Sequence, residues 1–272
     1  MKLKNLIFAV TVLFTALLIT IISYFAAFAI TVLLGDVNVS NPGTASVDQG
    51  IFNLIRFILS LMVFSGWYKA VKEGSFFTDN SKRALKFTFH PVSLLLIIIL
   101  GFSIQICTDG ALYILSKIFT ESFSSYNSMM EEFSGSTSVL FIFTAVVMAP
   151  VVEELVFRGL TLHYTKKAFN LVLANIIQAL LFGLYHGNLI QGIYAFIFGL
   201  LLGYIAIKTD SLITGMLLHM IINGSLNIVS RSLFTNIGRA ALITMIAFSV
   251  LTMSYALILI IFDRHVSRKP SE

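Results

Sequence analysis

Charge is scarce in this chain. Asp, Glu, Lys and Arg make up 11% of its 272 residues, against about a quarter of an ordinary soluble domain, so a water-soluble globular protein is excluded. Cysteine is scarcer still. Cys107 stands alone, which rules out an intrachain disulfide and leaves the redox compartment unread. Internal repeats are lacking, as is any stretch polar enough to form a separate soluble domain. There is no continuous basic patch either. The net charge of +5 comes from residues that flank apolar runs, which argues against nucleic acid as a partner and for membrane lipid. What fills the chain instead is apolar, 57% of its residues.

The N-terminus imitates a signal peptide, with Lys2 and Lys4 before an apolar stretch and Ala27-Phe28-Ala29 as a cleavage-like motif. The run continues to Leu34, well beyond the roughly 7–15 residues of a signal core, so it reads as a retained first membrane helix. A span needs about 20 apolar residues. On that ruler helices are expected near 6–34, 51–69, 89–108, 139–165, 170–187, 189–207, 211–229 and 240–262. The expected fold is all-α, a polytopic bundle of about eight transmembrane helices, because a chain in lipid must satisfy its backbone internally. Three regions follow: N-terminal helices and outer loops over 1–138, a polar-studded helix core over 139–229, and a last helix with a basic tail over 230–272.

Positive charge favours the cytoplasmic side of short loops. With both termini cytoplasmic in a plasma membrane, thirteen Lys and Arg residues fall on inner segments and three on outer ones. Arg56 and Arg158 are left inside helices. In that orientation Gly35–Gly50, with its Asn41-Pro42-Gly43 turn, is outer. Lys69–Thr88 is inner and carries topology-setting basic residues that can also rest on anionic lipid. Thr120–Ser138 is serine-rich, with Glu121, Glu131 and Glu132, and reads as a solvated outer loop or lid.

Ionisable residues inside membrane segments are costly and mark functional sites by default. Glu153 and Glu154 end the apolar run from Val139 to Val152, and Arg158 follows one helical turn later. Residues i and i+4 share a helix face while i and i+1 diverge by about 100°. Glu154 and Arg158 can therefore neutralise each other, and Glu153 points elsewhere, toward a cavity. Pro150, just before the pair, lacks an N–H and can kink the helix. A structural ion pair accounts for Glu154 and Arg158 but gives no reason for Glu153. His186, one turn after Phe182, and His219 with Asn223 at i, i+4 are further polar insertions on two other helices. Each alone could be interhelical glue. Three such sets on three helices point to an intramembrane hydrolase. His90, His163 and His265 fall at membrane edges or in the tail and read as solvated. Gly199 and Gly203 form a close-packing face, and Gln191 and Tyr194 are candidates to line a cavity.

The run Glu153-Glu154-Leu155-Val156-Phe157-Arg158-Gly159 resembles the E-E-x-x-x-R motif of the CPBP family, the CAAX proteases and bacteriocin-processing enzymes also called the Abi family. Phe182 to His186 is similar to that family's F-x-x-x-H motif, and His219 to Asn223 to its H-x-x-x-N motif. The resemblance covers roughly Val139 to Val229, and no motif position is substituted. It implies that Glu153, helped by His186, activates water, that His219 and Asn223 stabilise an oxyanion, and that Glu154 and Arg158 hold the catalytic helix in place. Phe182 belongs to the supporting set. Glu153, His186 and His219 could instead make a three-ligand zinc site with an open water position, although the HExxH spacing is absent. The implied substrate is a peptide or membrane protein. Bacteriocin immunity, or a non-catalytic role beside a membrane-protein partner such as a sensor kinase, is the alternative from another class. A proton-relay transporter is disfavoured by the lack of an inverted repeat.

Overall fold

The computed structural model describes residues 2–34, 47–71, 79–135, 138–209, 211–226, 234 and 237–262. All regular structure among them is helical. Ten helices follow in order: α1 Lys2–Leu33, α2 Gln49–Val71, α3 Asp79–Thr88, α4 Pro91–Ile118, α5 Ser124–Gly135, α6 Val139–Ala168, α7 Leu171–Tyr185, α8 Leu189–Thr209, α9 Ile213–Ser225 and α10 Arg239–Phe262. Each of the eight expected apolar helices has its counterpart, and the all-α polytopic bundle stands. Six are long and apolar enough to cross a membrane. The other two are shorter than the expected 170–187 and 211–229. At about 1.5 Å per residue, α7 is about 22 Å long and α9 about 20 Å, less than a hydrocarbon core of about 30 Å. The Asn41-Pro42-Gly43 turn, His265, residues 227–229, the basic tail and part of the Lys69–Thr88 segment lie outside the described residues.

The helices form two compact units. The first holds α1, α2 and α6. Its α1 buries Ala9, Val12, Ala16, Ile19, Ser23, Ala27 and Thr31, a stripe of mostly small residues spaced three and four apart that lets neighbouring backbones come close. The Ser23 and Thr31 hydroxyls donate back to Ile19 O and Ala27 O, so the stripe buries no unsatisfied hydroxyl. Tyr164 of α6 ties the unit together at one end: Phe8 stacks on it at 5.1 Å, and the Trp67 indole donates to its hydroxyl at 2.8 Å.

Pro150 is accommodated within a continuous α6. Two π-helical stretches, Thr144–Met148 and Glu154–Thr161, flank the α-helical segment that contains it. The Ala149 amide donates to Thr144 O and the Leu162 amide to Phe157 O, each five residues back. The Thr161 hydroxyl likewise reaches Val156 O. A proline removes an amide and crowds the carbonyl four residues earlier, and widened turns on both sides let the helix continue past it. Such turns recur at functional sites.

The second unit holds α3, α4, α5, α8, α9, α10 and most of α7. Its core gathers Ile97, Leu100 and Ile104 of α4 with Leu202 and Ile205 of α8, Leu218 and Ile222 of α9, and Ala256 and Ile260 of α10. Polar seams cross it at Thr88–Thr214, 2.7 Å, and Ser103–Thr252, 2.8 Å. The α7–α8 hairpin is close-packed, as the Gly199/Gly203 spacing predicts. A methyl at Gly199 would press on Ala179, and one at Gly203 would overlap Asn175 Oδ1. The Asn175 and Gln178 amides donate instead to the backbone carbonyls of Leu200 and Gly199.

Two expectations are corrected here. The serine-rich stretch is not simply a solvated loop: Ser124–Gly135 forms α5, anchored by its Tyr126 and by Phe123 in the turn just before it, which are buried against Leu112, Ile190 and Tyr194. Two aromatic anchors outweigh the surrounding serines, and Tyr194 is engaged by Tyr126 at 6.2 Å. His163 is not solvated either. Its ring nitrogens are buried, and the ring stands edge-on to Tyr164, because the packed end of α6 around Tyr164 encloses it.

Candidate active site

The acid set lies in the first unit. Arg158 Nη1 stands 3.0 Å from Glu154 Oε1, with both side chains fully buried, as the i, i+4 spacing requires. Glu153 is half-buried and is the last α-helical residue before the π stretch that begins at Glu154. Arg158 lies in the field of both carboxylates, Glu154 more strongly than Glu153. Glu154 is fully enclosed, and Glu153 is the acid that keeps some exposure.

The histidine set lies in the second unit. His186 follows the end of α7 in the turn that leads to Asn188, where Gly187 adopts φ +68°, a conformation that glycine reaches without steric cost. The His186 Nδ1 is 2.8 Å from Phe182 O. A carbonyl can only accept, so Nδ1 carries the proton and Nε2 of the neutral ring is the lone-pair nitrogen. The Phe182 ring, 2% exposed, stands edge-on to His186 at 4.8 Å and to His219 at 5.9 Å. Phe182 therefore seats both imidazoles against one apolar wedge. His219 is buried and Asn223, one turn further along α9, is half-buried.

The structure brings together Glu154 with Arg158, and His186 with His219 through Phe182. Among the described residues no three His, Cys, Asp or Glu side chains form a group that could hold a metal ion.

One buried acid escaped the sequence reading. Asp109 lies on α4 and accepts from Gln105 Nε2 at 2.7 Å, both residues being buried. The expected span ended at 108, which put Asp109 at a helix end; α4 runs on to Ile118 and takes Asp109 into the unit. A charged residue soon after a long apolar run, with a further apolar run from Ala111, was the available signal.

Residues 135–225 match the family described as Rce1-like, type II CAAX prenyl endopeptidase Rce1-like. That stretch spans all three polar motifs. The match supports the CPBP/CAAX protease family. The match takes in about a third of the chain and leaves outside it α1 to α4, all but the last residue of α5, and α10. Nothing matches the chain significantly among curated proteins or among solved structures. Together with six helices long and apolar enough to cross a membrane among the described residues, the match supports an intramembrane protease in general terms.

Proposed function

We propose that the protein is an intramembrane endopeptidase of the glutamate type. Glu153 takes a proton from water, and the hydroxide attacks the carbonyl carbon of the scissile peptide. His219 and Asn223 donate to the oxyanion, as preorganised donors do best in a dry site. On collapse the C–N bond breaks, and the proton held by Glu153 passes to the departing amine. His186 assists as a lone-pair acceptor through Nε2. Glu154 and Arg158 hold the helix that carries Glu153. The observation that carries this reading is the bond from His186 Nδ1 to Phe182 O, which fixes the tautomer a hydrogen-bond acceptor needs.

Substrates are extended, partly apolar segments: a chain terminus, a lipidated tail or a short peptide. A folded domain would have to strip water from its backbone and charges to follow them into the membrane. Both termini of the protein lie on the cytoplasmic side, following the distribution of Lys and Arg. The test uses purified protein in lipid nanodiscs and a set of apolar peptides flanked by a fluorophore and a quencher. Wild type should cleave members of the set and Glu153→Gln should not, with 1,10-phenanthroline leaving the wild-type rate unchanged. Full cleavage by Glu153→Gln would overturn the mechanism and favour a non-catalytic or differently catalysed role.

A further inference from the structure

A second cation inside a membrane helix has no part in the reaction above. Arg56 is half-buried on α2, about 10 Å down the axis from Gln49 at 1.5 Å per residue. Its guanidinium carbon stands 4.3 Å from the Phe57 ring centroid and 5.4 Å from that of Phe52. Its Nε is buried without a hydrogen-bond acceptor, and no acid pairs with it among the described residues. Two ring faces offset only part of the cost of holding a cation within a membrane. What complements a forked guanidinium is an anion that offers two oxygens at once.

The surroundings of Arg56 favour lipid as the source of that anion. Val63, two turns further along the same helix face, is exposed, so this face of α2 opens outward. Phe52, one turn the other way, meets Tyr24 of α1 edge-on at 6.2 Å. Tyr24 is exposed, as are Phe25 and Phe28, and its hydroxyl makes no hydrogen bond among the described residues. Aromatic rings with one polar tip gather where hydrocarbon gives way to headgroups. The two helices run antiparallel: Tyr24 meets Phe52 toward one end, while Phe8 and Trp67 share Tyr164 at the other. Helical side chains lean toward the N-terminus of their own helix. Arg56 therefore leans toward the nearer, Gln49 end of α2, the direction in which a buried cation snorkels. Tyr24, on the antiparallel helix, leans toward the level of Arg56. Two donors from different helices thus flank the Phe52 ring on an outward face.

We infer that Arg56 and Tyr24 bind the phosphodiester of an anionic phospholipid, whose acyl chains lie along the exposed face past Val63. The guanidinium takes two phosphate oxygens and the hydroxyl donates to a third. A headgroup with its own ammonium neutralises its phosphate internally, so the site prefers one without. The site is independent of the proteolytic reading. The test is native mass spectrometry of the full chain released from dodecyl maltoside micelles, with dioleoyl phosphatidylglycerol or dioleoyl phosphatidylcholine as the added lipid. Wild type should bind phosphatidylglycerol about 5-fold more tightly than Arg56→Gln, the share of one basic residue near a membrane surface. The difference should amount to one lipid per chain and be smaller for phosphatidylcholine. Arg56→Lys should retain part of it, and Tyr24→Phe should weaken binding in the same direction. Equal phosphatidylglycerol binding by wild type and Arg56→Gln, an equal loss for both lipids, or no effect of Tyr24→Phe would each overturn the proposal. So would displacement of the lipid by millimolar inorganic phosphate, which would make a free anion the ligand. Were Arg56→Gln unfolded by its tryptophan melt, Tyr24→Phe, which removes one oxygen from an exposed side chain, would decide alone.

Discussion

Arg158→Ala is expected to damage the fold before it touches the chemistry. The Arg158–Glu154 pair is closed at 3.0 Å with neither side chain exposed. At an effective dielectric of about 20, unit charges at that separation attract by about 5 kcal/mol. Truncating one partner of a buried pair costs about 3–5 kcal/mol, because the other charge is left without compensation. For a chain of this size, 1 kcal/mol moves a thermal midpoint by about 2–4 °C, so a fall of about 6–20 °C is expected. The single tryptophan suits the assay. Trp67 donates to Tyr164 on the same helix as Arg158, so its fluorescence in detergent micelles reports the loss of that contact. Removing both charges together, as Glu154→Leu with Arg158→Met, should recover most of the midpoint, since apolar replacement of a buried pair is often neutral or stabilising. A wild-type midpoint for Arg158→Ala, or a double variant no better than the single one, would refute the reasoning.

Asn223→Ala should lower kcat by about 10²–10³-fold, the usual loss of one oxyanion donor, with an unchanged melting curve. Phe182→Ala should cost about 3–5 kcal/mol and also depress turnover, because the wedge between His186 and His219 is gone; a melt and a rate on the same preparation separate the two effects. Gly203→Ala should destabilise the α7–α8 hairpin by about 1–3 kcal/mol, since its methyl would overlap Asn175 Oδ1; the same melt measures it. Single cysteines placed before α1 and after α10, in a Cys107→Ala background, should be labelled only once the cytoplasmic face is opened. Labelling from outside intact cells would reverse the orientation.

Hydropathy found the helices because lipid imposes one local demand, an internally satisfied backbone under an apolar surface, and that demand shows in any window of about 20 residues. The i, i+4 spacing likewise delivered the Glu154–Arg158 contact, a property of a single helix. What escaped depends on distant partners. Phe123 and Tyr126 anchor α5 only because Leu112 and Tyr194 are there to receive them. Asp109 counts as buried only once α4 is known to continue past residue 108. The role of Phe182 as the common wall of two imidazoles joins α7 to α9, which no spacing along the chain reveals. The π turns of α6 are a negotiated answer to Pro150, and proline alone predicts a perturbation without its form.

The most direct test of proteolysis with Glu153 as base is a comparison of membrane peptides from cells lacking the protein, complemented either with wild type or with Glu153→Gln at matched abundance. Peptides with new termini generated within apolar, extended segments should appear with wild type and be absent with Glu153→Gln. The same peptides appearing in equal amounts with both would contradict the account.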